Sequence, residues 1–389
     1  MTEISEKKCQ GWLRSAHFVN DIYTGFLNPI MPFIAEQINI TMPIATIILS
    51  CSHIFSSILQ PIFGFFADRI RKRALLFWGL IFTSVFMSLV PVAKTIPMMI
   101  LFIILGSLGS SHFHPQALGC VVEFSKKDVV KNMGLFIACG TLGFSVGPLL
   151  SSSVAQYMGL NRMPILSLLG VVCALLMFKF VPKITLVRKT PIEISFKQAF
   201  VDILKSKRLN ILNLMAMLKS LVQTSCSILL PFLWKDMGYS KFQIGFALFA
   251  FIFLGGLSTV LSSRFEKKIG TANVFYISMI GTLPMMIGFM LTYKTMPVLS
   301  FLIYGLMGFV TMFATPIVMS MAQETLPQYK SIIGGFINGF SWGVVAIAMT
   351  MIGFIANIIS IPVMLVIISI IPAICSVLVK YLFNNQIIK

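Results

Sequence analysis

Acidic residues are scarce in this chain: its 389 residues include only 12 Asp and Glu, and all charged types together make up 11%. So few charges cannot cover a soluble surface of this size, which excludes a water-exposed globular fold. Polar stretches are equally rare. Only 183–208 is both long and polar, so no sizeable soluble domain fits between the apolar runs. Cysteines number seven, an odd count, and all except Cys9 sit inside apolar runs, where a thiol behaves as a small hydrophobe. No disulfide and no metal cluster is expected. The chain also lacks convergent paired carboxylates, a nucleophile beside a base, and ligands at metal spacing, so it does not read as an enzyme and no cofactor is expected.

Hydrophobic residues fill the sequence, at 57%, with 35 Phe and 25 Met. They fall into runs of the length that crosses a bilayer, about 20 residues each, separated by short loops. Two halves of the chain echo each other. Pro32-Phe33 recurs as Pro231-Phe232, while His114-Pro115, Glu123 and Gly134 recur as Thr315-Pro316, Glu324 and Gly335 at a constant offset of 201. The expected fold is an all-α membrane protein with about 12 transmembrane helices in two pseudo-symmetric six-helix bundles. The N-terminal bundle is placed at 1–182, a cytoplasmic linker at 183–208 and the C-terminal bundle at 209–389. Within the linker, Ile194 to Leu204 is expected to form an amphipathic helix lying on the membrane face.

A net charge of +18 raises the question of a nucleic-acid partner, and the charge distribution excludes one. Of the 30 Lys and Arg, only Lys94, Arg162, Lys219, Lys235, Lys241 and Lys294 fall outside the segments that a single orientation places in the cytoplasm. That is the positive-inside pattern of a multi-pass protein with both termini cytoplasmic. The polar first fourteen residues run into the first span without a small-residue cleavage site, the pattern of a retained helix.

Polar side chains inside the spans are the candidate functional residues. His17, Asn20, Asp21, Thr24 and Asn28 share one face of the first span, expected at 15–37. Asp21 is the one carboxylate deep in a span, where an ionised side chain costs at least about 2.5–3.5 kcal/mol on insertion scales. It is the candidate carrier of a coupling proton; the alternative is a static hydrogen-bonding role. Lys219 occupies nearly the equivalent position in the second half, with Gln223 and Ser227 on its stripe. It is read as a proton-coupling residue that pairs with Asp21 or competes for its proton, as a contact for an anionic substrate, or as half of a structural ion pair.

His53 lies on a polar stripe of the second span, either relaying protons or packing. In the fourth span, Ser110-Ser111-His112-Phe113-His114-Pro115-Gln116 places two imidazoles about 200° apart around the helix, which argues against a shared zinc ion. His114, on a face with Ser107 and Ser111, is the cavity candidate, and Pro115 is expected to kink the helix there. Asn338 is a further cavity candidate.

The segment Gly64-Phe65-Phe66-Ala67-Asp68-Arg69-Ile70-Arg71-Lys72-Arg73 resembles the loop between helices 2 and 3 of the major facilitator superfamily, with Arg71 where glycine is usual. The resemblance implies that Gly64, Asp68, Arg69, Arg71 and Arg73 latch the cytoplasmic side during alternating access. Gly134, Gly143, Gly147 and Pro148 follow the spacing of the helix 5 motif of the superfamily's proton-driven antiporters, with Ser151 and Ser152 in place of the final glycines. Small residues at this spacing point to a close helix interface, expected between the bundles. His17 to Tyr23, Asn28-Pro29 and Phe113 to Ala117 are similar to the fosmidomycin-resistance-like exporters.

The combined reading is a secondary active transporter of the bacterial plasma membrane, monomeric, exporting a small organic molecule or drug in exchange for protons. Its partners are that substrate, protons and the lipid bilayer. Importing or facilitating the passage of an anionic metabolite is the second reading, and ligand sensing without transport is a third.

Overall fold

In the computed structural model, residues 3–60, 62–63, 70–125, 129–182, 185–187 and 196–384 are described. The first half contains α1 (Glu3–Gly25), α2 (Met31–Gln37), α3 (Met42–Ile58), α4 (Arg73–Leu89), α5 (Ile96–Phe124), α6 (Val129–Tyr157) and α7 (Ser167–Phe180). Then come α8 (Phe196–Lys205), α9 (Lys207–Asp236), α10 (Lys241–Ile269), α11 (Thr271–Ile280), α12 (Thr282–Thr292), α13 (Pro297–Met312) and α14 (Thr315–Thr325). The last helices are α15 (Lys330–Gly335), α16 (Ser341–Ile359), α17 (Ile361–Cys375) and α18 (Val377–Asn384), with a π-helical turn at Phe336–Phe340 ahead of α16.

Among the described residues, 10 helices are long and apolar enough to cross a membrane. Two further first-half helices accompany them: α1, whose face is polar, and α3, which is apolar but shorter. The fold is the all-α membrane architecture that the apolar runs predict. One addition is a small clip in which β1 (Ile70–Lys72) pairs antiparallel with β2 (Thr185–Val187), Arg71 standing opposite Leu186.

The chain forms two compact units, Met1–Pro191 with Trp234–Phe249, and Ile192–Leu233 with Ala250–Lys389. In the first, α1 is the central element and packs on α4, α5, α6 and α7, while α4 packs on α5 and α7. Glycines permit the closest of these approaches. A methyl group on Gly143 would collide with the carbonyl of Phe18, and one on Gly147 with that of Ile22, so α6 lies directly against the backbone of α1. The second unit packs α12 on α13 and α17, and α11 on α17 and α18.

Two features depart from the sequence reading. The first span is not one helix: α1 begins well before residue 15 and stops at Gly25, and a break over 26–30 precedes α2. Pro29 lacks an amide hydrogen and disfavours helical geometry in Asn28, which ends the helix. Ser151 Oγ donates to the Phe26 carbonyl at 2.8 Å and satisfies one acceptor exposed by the break. Asn28 therefore leaves the α1 stripe and lies buried in the connection.

The linker helix α8 also differs. Its apolar positions Ala199 and Ile203 are fully buried, Ile203 in a core with Leu209, Leu212, Ile333 and Phe336. Its apolar face packs on protein, where a membrane-surface position was expected. Tyr329 Oη donates to Asp202 Oδ2 at 2.8 Å, and that bond to the carboxylate pushes the phenol above its ordinary range.

Tyr329→Phe is expected to loosen α8, raising the rate of tryptic cutting at Lys197 and Lys205 several-fold in detergent. Unchanged cutting would assign the hold on α8 to its apolar contacts alone.

Candidate functional site

Midway along α1, the helical period brings His17 and Asp21 to one face, one turn apart. Across from them, α5 presents His114. His17 Nε2 lies 3.2 Å from Asp21 Oδ2, and His114 Nε2 lies 3.0 Å from Asp21 Oδ1. Asn20 Nδ2 donates to Asp21 Oδ1 at 3.0 Å and lies 3.3 Å from Ser110 Oγ. The carboxylate thus has both oxygens occupied, and its side chain is only 13% exposed.

The imidazoles are fixed on their far sides. His17 Nδ1 lies 2.8 Å from the Phe136 carbonyl and His114 Nδ1 lies 2.8 Å from the Ser110 carbonyl. A carbonyl only accepts, so each Nδ1 carries a hydrogen and donates it. Phe136 of α6 stacks on His17 at 3.9 Å between ring centroids. Gly140, one turn on, leaves the space that the His17 ring and the Asp21 carboxylate occupy; a methyl group there would overlap the His17 ring. The ligand atoms of His17, Asp21 and His114 lie within 4.8 Å of one another, a spacing that would admit a metal ion. Each close contact has the length of a single N–H···O hydrogen bond, so a proton in each satisfies the geometry.

The second unit has a related pair. Lys219 of α9 is 6% exposed, and its Nζ donates to Thr315 Oγ1 at 3.2 Å. Thr315 is the residue that the internal repeat aligns with His114, and Lys219 sits nearly where Asp21 sits. Each unit thus joins an ionisable side chain of its first spanning helix to a side chain of a later helix, and the repeat relates the two contacts to each other. Gln223, one turn beyond Lys219, is also buried.

The sequence pattern described as the Major Facilitator Superfamily matches residues 15–349. This chain belongs to that superfamily. It is 25% identical over 364 residues to the fosmidomycin resistance protein of Escherichia coli (strain K12), covering 89% of this chain and 86% of that protein. It is 24% identical over 140 residues to multidrug resistance protein 1 of Bacillus subtilis (strain 168), covering 36% of each. The solved structure of the nucleoside transporter NupG, in a mutant form, superimposes with a TM-score of 0.79 at 15% identity, covering 96% of this chain and 100% of that one; this likeness speaks to the fold alone. The protein is therefore a multi-pass superfamily transporter and not an enzyme.

The other candidate residues are distributed as follows. Thr24 Oγ1 bonds back to the Asp21 carbonyl at 2.9 Å. Ser111 turns away from the cluster, its Oγ lying 2.8, 2.9 and 3.0 Å from the Ser107, Phe55 and Ser56 carbonyls, where its one hydrogen ties α5 to the backbone. His53 lies on α3, and His112 faces Phe63, with ring centroids 5.2 Å apart. Of the antiporter-like residues, Gly143 and Gly147 make their close approach to α1 inside the first unit, a correction to the interface between bundles expected from the motif; Pro148 lies within α6, and Gly134 has open space around it. Of the superfamily latch, Gly64, Asp68 and Arg69 lie outside the described residues, and Arg71 is described only as part of β1. Arg73 Nη1 donates to the Val181 carbonyl at 2.7 Å, with the guanidinium 4.2 Å from the Phe178 ring centroid. Asn338 falls in the π-helical turn, and its side chain lies outside the described residues.

Three members of the cluster were not singled out by sequence. Ser110 stands one turn before His114, so helical spacing could have found it. Gly140 stands one residue short of a turn before Gly143. The Phe136 carbonyl leaves no trace in residue identity.

Gly143→Leu is expected to prevent stable folding, because the close approach of α6 to α1 has no room for a side chain. Gly134→Leu should leave folding intact. Size-exclusion profiles and melting curves of both variants check this, and a well-folded Gly143→Leu protein would contradict the packing.

Proposed function

We propose that this protein is a proton-coupled antiporter that exports a small organic molecule or drug by alternating access. The observation that carries the reading is the Asp21 carboxylate, buried in the first unit and contacted by two imidazoles. A carboxylate this deep in a membrane protein is costly, and groups that exchange protons give it a reason to be there. Two relatives carry resistance names, which supports outward transport of a foreign compound.

In this reading, protonation of the Asp21 cluster favours one conformation and substrate binding the other, so that protons entering down their gradient drive substrate out. The parts that alternate are 1–182 and 209–389, with 183–208 as the connecting linker. Asn20, Thr24, His53, Gln223 and Asn338 contribute polar groups along the route. Asp68 and Arg69, with Gly64, Arg71 and Arg73, serve as the cytoplasmic latch, and Gly143, Gly147 and Pro148 give α6 the contact surface of an antiporter helix. The protein acts as a monomer in a bacterial plasma membrane, with both termini in the cytoplasm.

Lys219, buried beside only a hydroxyl among the described residues, favours a second reading, in which its ammonium receives an anionic metabolite during import or facilitated passage. The direction of accumulation relative to an imposed proton gradient separates the two.

Asp21→Asn preserves side-chain shape and removes the charge. Inverted vesicles with an acidic interior, screened with small organic antibiotics beginning with fosmidomycin, are expected to lose at least about tenfold of gradient-driven accumulation when Asp21 is replaced. The variant should melt within a few degrees of the wild type. Full accumulation by the variant would refute the coupling role of Asp21.

A further inference from the structure

We propose that the coupling site binds two protons, one at His17 Nε2 and one at His114 Nε2, with Asp21 remaining ionised between them. The inference rests on the reading of Asp21 as the coupling residue and adds the number of protons and the atoms that carry them.

The argument is one of hydrogen inventory. Both Nδ1 atoms donate to backbone carbonyls, His17 to Phe136 and His114 to Ser110, each at 2.8 Å. In a neutral imidazole the hydrogen sits on one nitrogen, so the other presents a lone pair. Were both rings neutral and Asp21 ionised, two lone pairs would face two carboxylate oxygens at 3.2 and 3.0 Å. Those contacts would be repulsive. Placing one hydrogen on each Nε2 turns both into charge-assisted hydrogen bonds. A single proton on the carboxyl group would repair only one of the two, because it can point at only one ring.

The charge balance follows. With neither Nε2 protonated, the three side chains carry a net −1; after two protons bind, they carry +1. Release of both protons into the cytoplasm leaves three groups whose mutual contacts have become unfavourable, and separation of α1 from α5 relieves them. A two-proton load therefore tightens the α1 and α5 contact, and its loss loosens it.

Among the described residues, neighbouring helices pair no further charge with the group. On α1, Arg14 lies about two turns away and donates to Asn132 Oδ1 at 2.6 Å. Tyr23 Oη donates to the Leu166 carbonyl at 2.6 Å. On α5, His112 turns toward Phe63, and Glu123 is near the far end of the helix. Apart from Phe136 and Gly140, α6 brings the thiol of Cys139, and α7 brings Cys173, with Lys179 in its last turn. Between Ala74 and Leu89, α4 has no charged residue. The titratable groups on α3 are the Cys51 thiol and His53. Among the described residues, the charged partners of Asp21 are His17 and His114.

The test needs no substrate. The protein contains four histidines, so wild-type protein labelled with 15N-histidine in lipid nanodiscs gives a small, assignable spectrum at neutral pH. His17→Gln and His114→Gln assign the signals, and glutamine keeps a neutral N–H donor in place of the ring. Both imidazoles are expected to show two protonated nitrogens in the wild type and to lose their Nε2 protons in Asp21→Asn. An unprotonated Nε2 on either ring in the wild type would overturn the proposal. So would Nε2 signals at metal-bound positions in protein purified without added metal. These outcomes are distinct from retained gradient-driven accumulation by Asp21→Asn, which would sink the coupling reading itself.

Discussion

A carboxylate buried in a membrane protein must be offset locally, and the arrangement around Asp21 shows how this chain does it. His17 and His114 each direct a ring nitrogen at a different carboxylate oxygen, and each ring is held from behind by a backbone carbonyl. Neither ring can turn away without giving up that bond. The neighbouring packing follows from the same requirement: Gly140 leaves room for the His17 ring, Phe136 stacks beneath it, and Gly143 and Gly147 hold α6 against the α1 backbone. Substituting any of these would act on the cluster through its geometry before acting on its chemistry.

The internal repeat places this cluster within the superfamily architecture. The second unit pairs Lys219 with Thr315 at positions that the repeat relates to Asp21 and His114. The geometry recurs while the chemistry changes, from an acidic side chain contacted by imidazoles to a basic one contacted by a hydroxyl. Such divergence is what a duplicated bundle allows, since each copy keeps its packing and is free to change the few polar side chains that packing does not dictate.

Much of this was readable from the sequence, because strong physical signals carried it. Apolar run length gave the spans, and the helical period put His17 and Asp21 on one face. The signal failed where a local rule overrode the period: Pro29 ended α1 and carried Asn28 off the stripe. It also failed where two residues competed for one role. Ser110 and Ser111 are adjacent, and only the packing of α5 decides that Ser110 meets Asn20 while Ser111 bonds carbonyls of α3. The amphipathic pattern of α8 was legible, but pattern alone does not say whether lipid or protein covers an apolar face; Leu209, Leu212, Ile333 and Phe336 are what cover it. A carbonyl such as that of Phe136 has no sequence signature at all.

The most direct test is a difference titration of purified, substrate-free protein against its Asp21→Asn variant, counting protons bound between alkaline and neutral pH. If Asp21 holds both imidazoles in their charged form, the wild type takes up about two more protons than the variant. Superimposable titration curves would mean that the carboxylate does not govern the two rings, and the coupling role assigned to the cluster would fall with it.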